Sequence, residues 1–309
     1  MENQKRVTNM RGLKPIITRR SLELGDNFDN IKNKIESDSR YAGLKKLELC
    51  EFYPEEKRFE YSTERIYPNH SEHYDRIPIL LLFSNPHPNS VRRGLFLSEP
   101  HSQTFWQRLF ESEYFCMTPD EKINLERWDK STPRFLGQLM LEGKYKGELL
   151  LYFHCLWPIP TNQVADLKRL FASTPQLWGK INEDGLKELA ELIKHEQVKH
   201  IVVFTGEVFH LITGANKADY KGRRDKIKCA VNDYLKDRNI KNYWERLSFC
   251  RAKAGFSNDV DVYLALDTRS KNLKIEGTKK RYFTFAIDMI LKRILETRGG
   301  EIDKKSVRH

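Results

Sequence analysis

Four apolar runs of strand length constrain this chain more than any other feature: 77–83 (IPILLLF), 149–155 (LLLYFHC), 200–205 (HIVVFT) and 260–266 (VDVYLAL). Each run is continuous in its apolar residues, where a half-exposed strand would alternate. That pattern suits a parallel sheet covered on both faces. Helical periodicity fills the intervals, at 104–113, 163–171, 184–195 and 223–236, and a last stretch at 282–297 follows the fourth run. Strands alternating with helices imply an α/β fold, a three-layer α/β/α sandwich around a central four-stranded, mainly parallel sheet. In such sheets a site lies beyond the carboxyl ends of the strands. The residues directly after each run are therefore where chemistry is expected.

Residues 1–70 are polar and irregular, with a helical stretch near 30–35, and read as an N-terminal extension packing on a core domain at 71–297. Residues 298–309 read as a flexible tail. His70 and His73 could pair on a metal, but without further spaced ligands they read as surface residues. The five cysteines are odd in number and widely spaced, which argues against a disulfide framework and against a zinc or iron–sulfur site. No cofactor is expected. The N-terminus has no apolar stretch of the kind a secretory signal needs, and no run is long enough to span a membrane, so a cytoplasmic location is expected. The formal net charge of +11 favours a polyanionic partner such as DNA, with no obligate protein partner evident.

After the first run comes Ser84-Asn85-Pro86-His87, then Arg92-Arg93-Gly94-Leu95-Phe96. An Asn-Pro turn holds a short polar side chain rigidly at a strand tip. The Asn85 amide is no strong base, but its oxygen can hold a water or face a positive charge. Arg92 and Arg93 can reach phosphates, and Phe96 can stack on a base.

The string FSNPHPNSVRRGLFLS followed by TFWQRLF resembles the first motif of the uracil-DNA glycosylase superfamily, in its mismatch-specific branch. The resemblance implies that Asn85 is the catalytic amide and that Phe96 lies on or beside the aromatic that stacks on a flipped base. After the second run, His154 stands where the family often has a base-reading Asn, and the proline-rich loop that follows is expected to contact DNA. After the fourth run, Asp267-Thr268-Arg269-Ser270-Lys271-Asn272 occupies the place of the family's DNA-wedging loop. Thr268, Ser270, Lys271 and Asn272 are expected to contact phosphates and Arg269 to fill the gap in the stack. Asp267 replaces a typical proline, as a second catalytic group or a loop cap.

The resemblance thus implies base flipping and hydrolysis of an N-glycosidic bond. Asn85 would position water and stabilise the sugar cation, and His87 or His154 would donate to the departing base. Ser84, Phe96 and His154 would line the base pocket. No lysine occupies the Asn85 position, so a monofunctional enzyme leaving an abasic site is expected. The family includes an anti-phage member acting on glucosylated hydroxymethylcytosine, and departures at His87 and His154 suit a modified pyrimidine. Uracil or thymine-mismatch repair, and an inactive DNA-binding relative, stand as alternatives.

Overall fold

The computed structural model of the chain describes residues 16–306 apart from 101, 119–124, 217, 219–220, 239–248, 254–255, 257–258, 267, 269–270 and 279. The fold is mixed α/β around a five-stranded, mostly parallel sheet. The first two apolar runs form β4 (Ile77–Phe83) and β5 (Leu149–Cys155) with the expected bounds. The third and fourth form the shorter strands β6 (His200–Val203) and β8 (Asp261–Leu264). In space the order is β5-β4-β6-β8-β7, and the first four are parallel. The fifth strand, β7 (Phe249–Arg251), pairs antiparallel with β8 and gives the sheet an edge that the apolar runs did not indicate.

Side-chain alternation along the strands explains why both faces needed apolar residues. Ile79, Leu81 and Phe83 enter one buried cluster with Trp106, Leu136, Val231 and Phe283. Leu80 and Leu82 enter a second cluster with Leu189, Ile193 and Phe209. The first face is covered by α4 (Thr104–Phe110), α5 (Thr132–Leu141), α9 (Arg223–Asp237) and α10 (Tyr282–Ser306). The second is covered by α6 (Val164–Leu170), α7 (Pro175–His195) and α8 (Gly206–Thr213). The last helix runs through residue 306, beyond the end at 297 that its apolar pattern indicated.

Residues 16–70 are more ordered than their polarity suggested. β1 (Ile17–Glu23), β2 (Cys50–Tyr53) and β3 (Arg58–Glu64) form an antiparallel sheet in the order β1-β3-β2, with α1 (Phe28–Ser37) and α2 (Ala42–Lys46) beside it. Phe28, Ile31, Tyr41, Leu44 and Phe59 belong to the same buried cluster as Leu80 and Leu82, so this segment packs directly on the main sheet. Arg20 of β1 makes a two-pronged ion pair with Glu188 of α7. Just past β3, Ile66 forms an antiparallel bridge to Phe153, with N–H to carbonyl distances of 3.1 and 3.0 Å. The free side of β5 is thereby partly closed.

No helix of the described residues is long and apolar enough to cross a membrane. The five cysteines, all among the described residues, form no disulfide. His73 Nε2 lies 2.9 Å from the Glu142 carbonyl, and no group of His, Cys, Asp or Glu among the described residues is arranged to hold a metal.

Candidate functional site

The turn after β4 is locked by the loop after β5. Leu156 N–H donates to the Phe83 carbonyl, Trp157 N–H to Ser84 and Thr161 N–H to Pro86, at 3.0, 2.8 and 3.1 Å. The proline-rich segment 157–162 therefore braces the Asn-Pro turn from inside the molecule.

The same loop orients the Asn85 side chain. Its amide nitrogen donates to the Thr161 hydroxyl at 2.9 Å, the Thr161 carbonyl at 3.0 Å and the Pro86 carbonyl at 3.2 Å. Carbonyl oxygens only accept, so the nitrogen has to face them and the assignment of the amide is forced. Among the described residues the amide oxygen meets only the Ser84 hydroxyl, at 3.3 Å. Thr161 is 2 % exposed, a buried anchor that the motif reading did not include.

Asn85 lines a cavity of about 630 Å³ at the carboxyl ends of β4, β5 and β6. Ligand pockets run from roughly 300 to 1,000 Å³. Ser84, Asn85, His87, Phe96 and Thr268 all line it, so five of the residues singled out in the sequence meet in one place. The inner wall is aromatic. Phe83 stacks on Phe204 at 4.8 Å with planes 8° apart, and Phe96 packs against Phe83 and Phe153 at 5.6 and 5.7 Å. Phe96 is 2 % exposed, so its ring belongs to the core and shows the cavity little of its surface. Trp106 Nε1–H donates to the Phe96 carbonyl at 2.6 Å and fixes that segment.

His87 caps the short helix α3 (Pro88–Arg93), its Nδ1 accepting the Asn89 N–H at 3.2 Å. Gly94, at φ +74°, ends that helix in a left-handed cap. Burial lowers the pKa of His87. The neutral ring with Nδ1 accepting carries its proton on Nε2, a hydrogen-bond donor.

His154 is not part of the cavity. Strand alternation turns it to the opposite face from Phe153 and Cys155, where the Tyr67 hydroxyl lies 2.7 Å from Nδ1. Burial lowers its pKa to about 4. Cys155 is the β5 tip residue that lines the cavity. Lys271 is also placed unlike its expected role: it is buried, and its Nζ donates to the Thr268 carbonyl at 3.0 Å, bracing the loop. Asn272 is exposed and its carbonyl accepts from Arg281 at 3.1 Å. Arg92 and Arg93 are exposed, and Arg93 also donates to the Ser98 carbonyl at 2.5 Å. Asp267, Arg269 and Ser270 lie outside the described residues.

The motif reading also missed a carboxylate that lines the cavity. Glu64, at the end of β3, reaches the cavity from the N-terminal sheet. It is 2 % exposed, and its Oε2 has no hydrogen-bond partner among the described residues. Fold and cavity together describe an α/β protein with a polar, aromatic-floored site at the carboxyl end of its sheet. No family model matches the chain, and no curated protein matches it.

Proposed function

We propose that the chain is a monofunctional DNA glycosylase on the three-layer α/β/α sandwich of the uracil-DNA glycosylase superfamily, excising a modified pyrimidine to leave an abasic site. The observation that carries this reading is the Asn85 amide. Its nitrogen is pinned by Thr161 and Pro86, and its oxygen is left for a water or a sugar cation beside an aromatic wall. Cleavage of an N-glycosidic bond builds positive charge on the sugar, and a fixed dipole stabilises it without reorganising. The Nε2–H of His87 supplies a donor for the departing base. No lysine lines the cavity among the described residues, so the chemistry supported is hydrolysis without a Schiff base. The exposed Arg92 and Arg93 and the net charge of +11 supply attraction to the duplex, offsetting the few kcal/mol needed to extrude a base.

The test is alkali-labile cleavage across DNA oligonucleotides carrying uracil, mismatched thymine, hydroxymethylcytosine and its glucosylated form. Asn85→Ala should retain DNA binding and lose about 10²–10³-fold in excision rate, the usual effect of removing one such dipole. DNA retention with no abasic product on any substrate would instead identify a binding protein. An Asn85→Ala variant as fast as wild type would refute the catalytic assignment.

A further inference from the structure

The cavity wall holds a carboxyl for which the mechanism above has no use. An antiparallel bridge joins Ile66 to Phe153, and Glu64 and Cys155, each two residues away from it, both line the cavity. Cys155 in turn pairs with Phe83. Glu64, Cys155 and Phe83 thus line one wall of the cavity, on the face that carries Ile66, Phe153 and Leu81. Asn85 follows two residues after Phe83. Glu64 and Asn85 both line this cavity, whose volume of about 630 Å³ lies within the roughly 300–1,000 Å³ range of small-molecule sites. An unpartnered carboxyl in apolar surroundings is costly when ionised. Burial accordingly pushes the Glu64 pKa well above the carboxylate range, with the nearby charge of Glu99 acting in the same direction.

Resting on the glycosylase reading, we propose that Glu64 is the proton donor to the departing base and that the base is of the cytosine type, with an unprotonated ring nitrogen beside an exocyclic amine. A neutral carboxyl matches that edge: its O–H donates to the ring nitrogen N3 and its carbonyl accepts from the exocyclic N–H. The chemistry requires such a donor. Uracil can leave as a stabilised anion, whereas cytosine leaves readily only once N3 is protonated. In the step, the C1′–N1 bond breaks and its electron pair goes to the base. The Glu64 O–H bond breaks and an N3–H bond forms, so the base departs neutral. The remaining carboxylate faces the sugar cation. The water held by Asn85 bonds through oxygen to C1′, and its proton returns through solvent to Glu64. The net reaction consumes one water and regenerates the acid.

Single-turnover excision by the full chain between pH 5 and 9 tests this, on oligonucleotides carrying cytosine, hydroxymethylcytosine, glucosylated hydroxymethylcytosine and uracil. Wild type should cut at least one cytosine-type base, with a rate that falls tenfold per pH unit once Glu64 ionises. Glu64→Gln, with DNA retention unchanged, should lose about 10²–10⁴-fold on that base, the usual span for a general acid. The alkaline limb should vanish with it. Glu64→Leu, suited to the apolar wall, should remain folded and be equally slow. A Glu64→Gln variant with the wild-type rate and profile overturns the inference, as does wild type that cuts uracil alone, and both leave the glycosylase reading standing. Absence of cleavage on every base removes both proposals.

Discussion

The pinning of Asn85 gives the sharpest test of how the fold makes the site. Thr161→Val keeps the volume and branching of the side chain and removes one oxygen. That oxygen accepts from the Asn85 amide at 2.9 Å and donates to the Gln163 carbonyl at 2.9 Å. The Gln163 carbonyl keeps the Asp166 and Leu167 N–H groups, at 3.0 and 3.3 Å. The uncompensated loss is therefore the amide bond, worth about 1–1.5 kcal/mol. At roughly 2.1 cal/mol/K of unfolding entropy per residue, a chain of 309 residues melts about 2 °C lower for that loss. The same energy lost from the orientation of the amide in the transition state is about a tenfold slower step. The two carbonyl acceptors of Asn85 remain, which is why the loss stays well short of that of Asn85→Ala. Single-turnover excision and thermal melting on the same preparations measure both effects. Thr161→Ser, which restores the hydroxyl, should recover the rate, and affinity for DNA should be unchanged throughout. A Thr161→Val enzyme within twofold of wild type, alongside an inactive Asn85→Ala, would refute the claim that this anchor orients the amide.

Other residues give expectations that do not depend on the reaction. A Cβ on Gly185 would stand 2.3 Å from the Leu156 carbonyl oxygen, so Gly185→Ala should push α7 off the sheet and cost about 3 kcal/mol in urea denaturation. Gly179, on the same helix, has nothing within 4 Å, and Gly179→Ala should stabilise by about 0.5–1 kcal/mol. Burial raises the Asp288 pKa from 3.8 to about 6, against the hydrogen bond from the Ser112 hydroxyl. The fold thus prefers the neutral form, and wild type loses stability as pH rises from about 4 to 6. Asp288→Asn should be more stable by about 2 kcal/mol at pH 7.5, with the gain gone below pH 4 in calorimetry. His154, with its pKa lowered from 6.5 to about 4, works in the opposite sense: its contribution is present above pH 6.5 and is lost as pH falls toward 4. His154→Gln should reduce that acid loss by about 3 kcal/mol in denaturant titrations at the two pH values. It should also leave excision unchanged, because the ring lies outside the cavity.

Much of the frame was legible because it rests on local pattern. Continuous burial set the bounds of β4 and β5, and the turn chemistry of Asn85-Pro86 pointed to the cavity. What was missed depends on parity and on distant pairing. A continuous apolar strand gives no sign of which residues face which way, so His154 and Cys155 could not be told apart until neighbouring strands fixed the faces. β1 and β3, ITRRSLE and RFEYSTE, mix charge with apolar residues in the manner of half-covered strands, and in a polar segment that pattern is easily passed over. β7 has three residues and almost no periodicity to show. Glu64 carries no local signature at all. Its place in the cavity follows from the bridge between Ile66 and Phe153, a contact that no sequence window contains.

That bridge also ties the chemistry to the architecture. Without the N-terminal sheet, β5 would present the backbone of Phe153 unpaired, and Tyr152 and Leu150 would lose part of the apolar cover that Phe59, Tyr61 and Tyr67 help to provide. An uncovered strand edge invites pairing with another chain. The segment that closes the edge is the one that brings Glu64 to the cavity. Deleting residues 1–70 would therefore remove a core layer, an edge cover and a carboxyl together, and a loss of activity would not say which mattered. A substitution at Glu64 separates them. It leaves the Ile66 bridge and the Arg20–Glu188 pair in place and changes only the carboxyl that lines the cavity with Asn85.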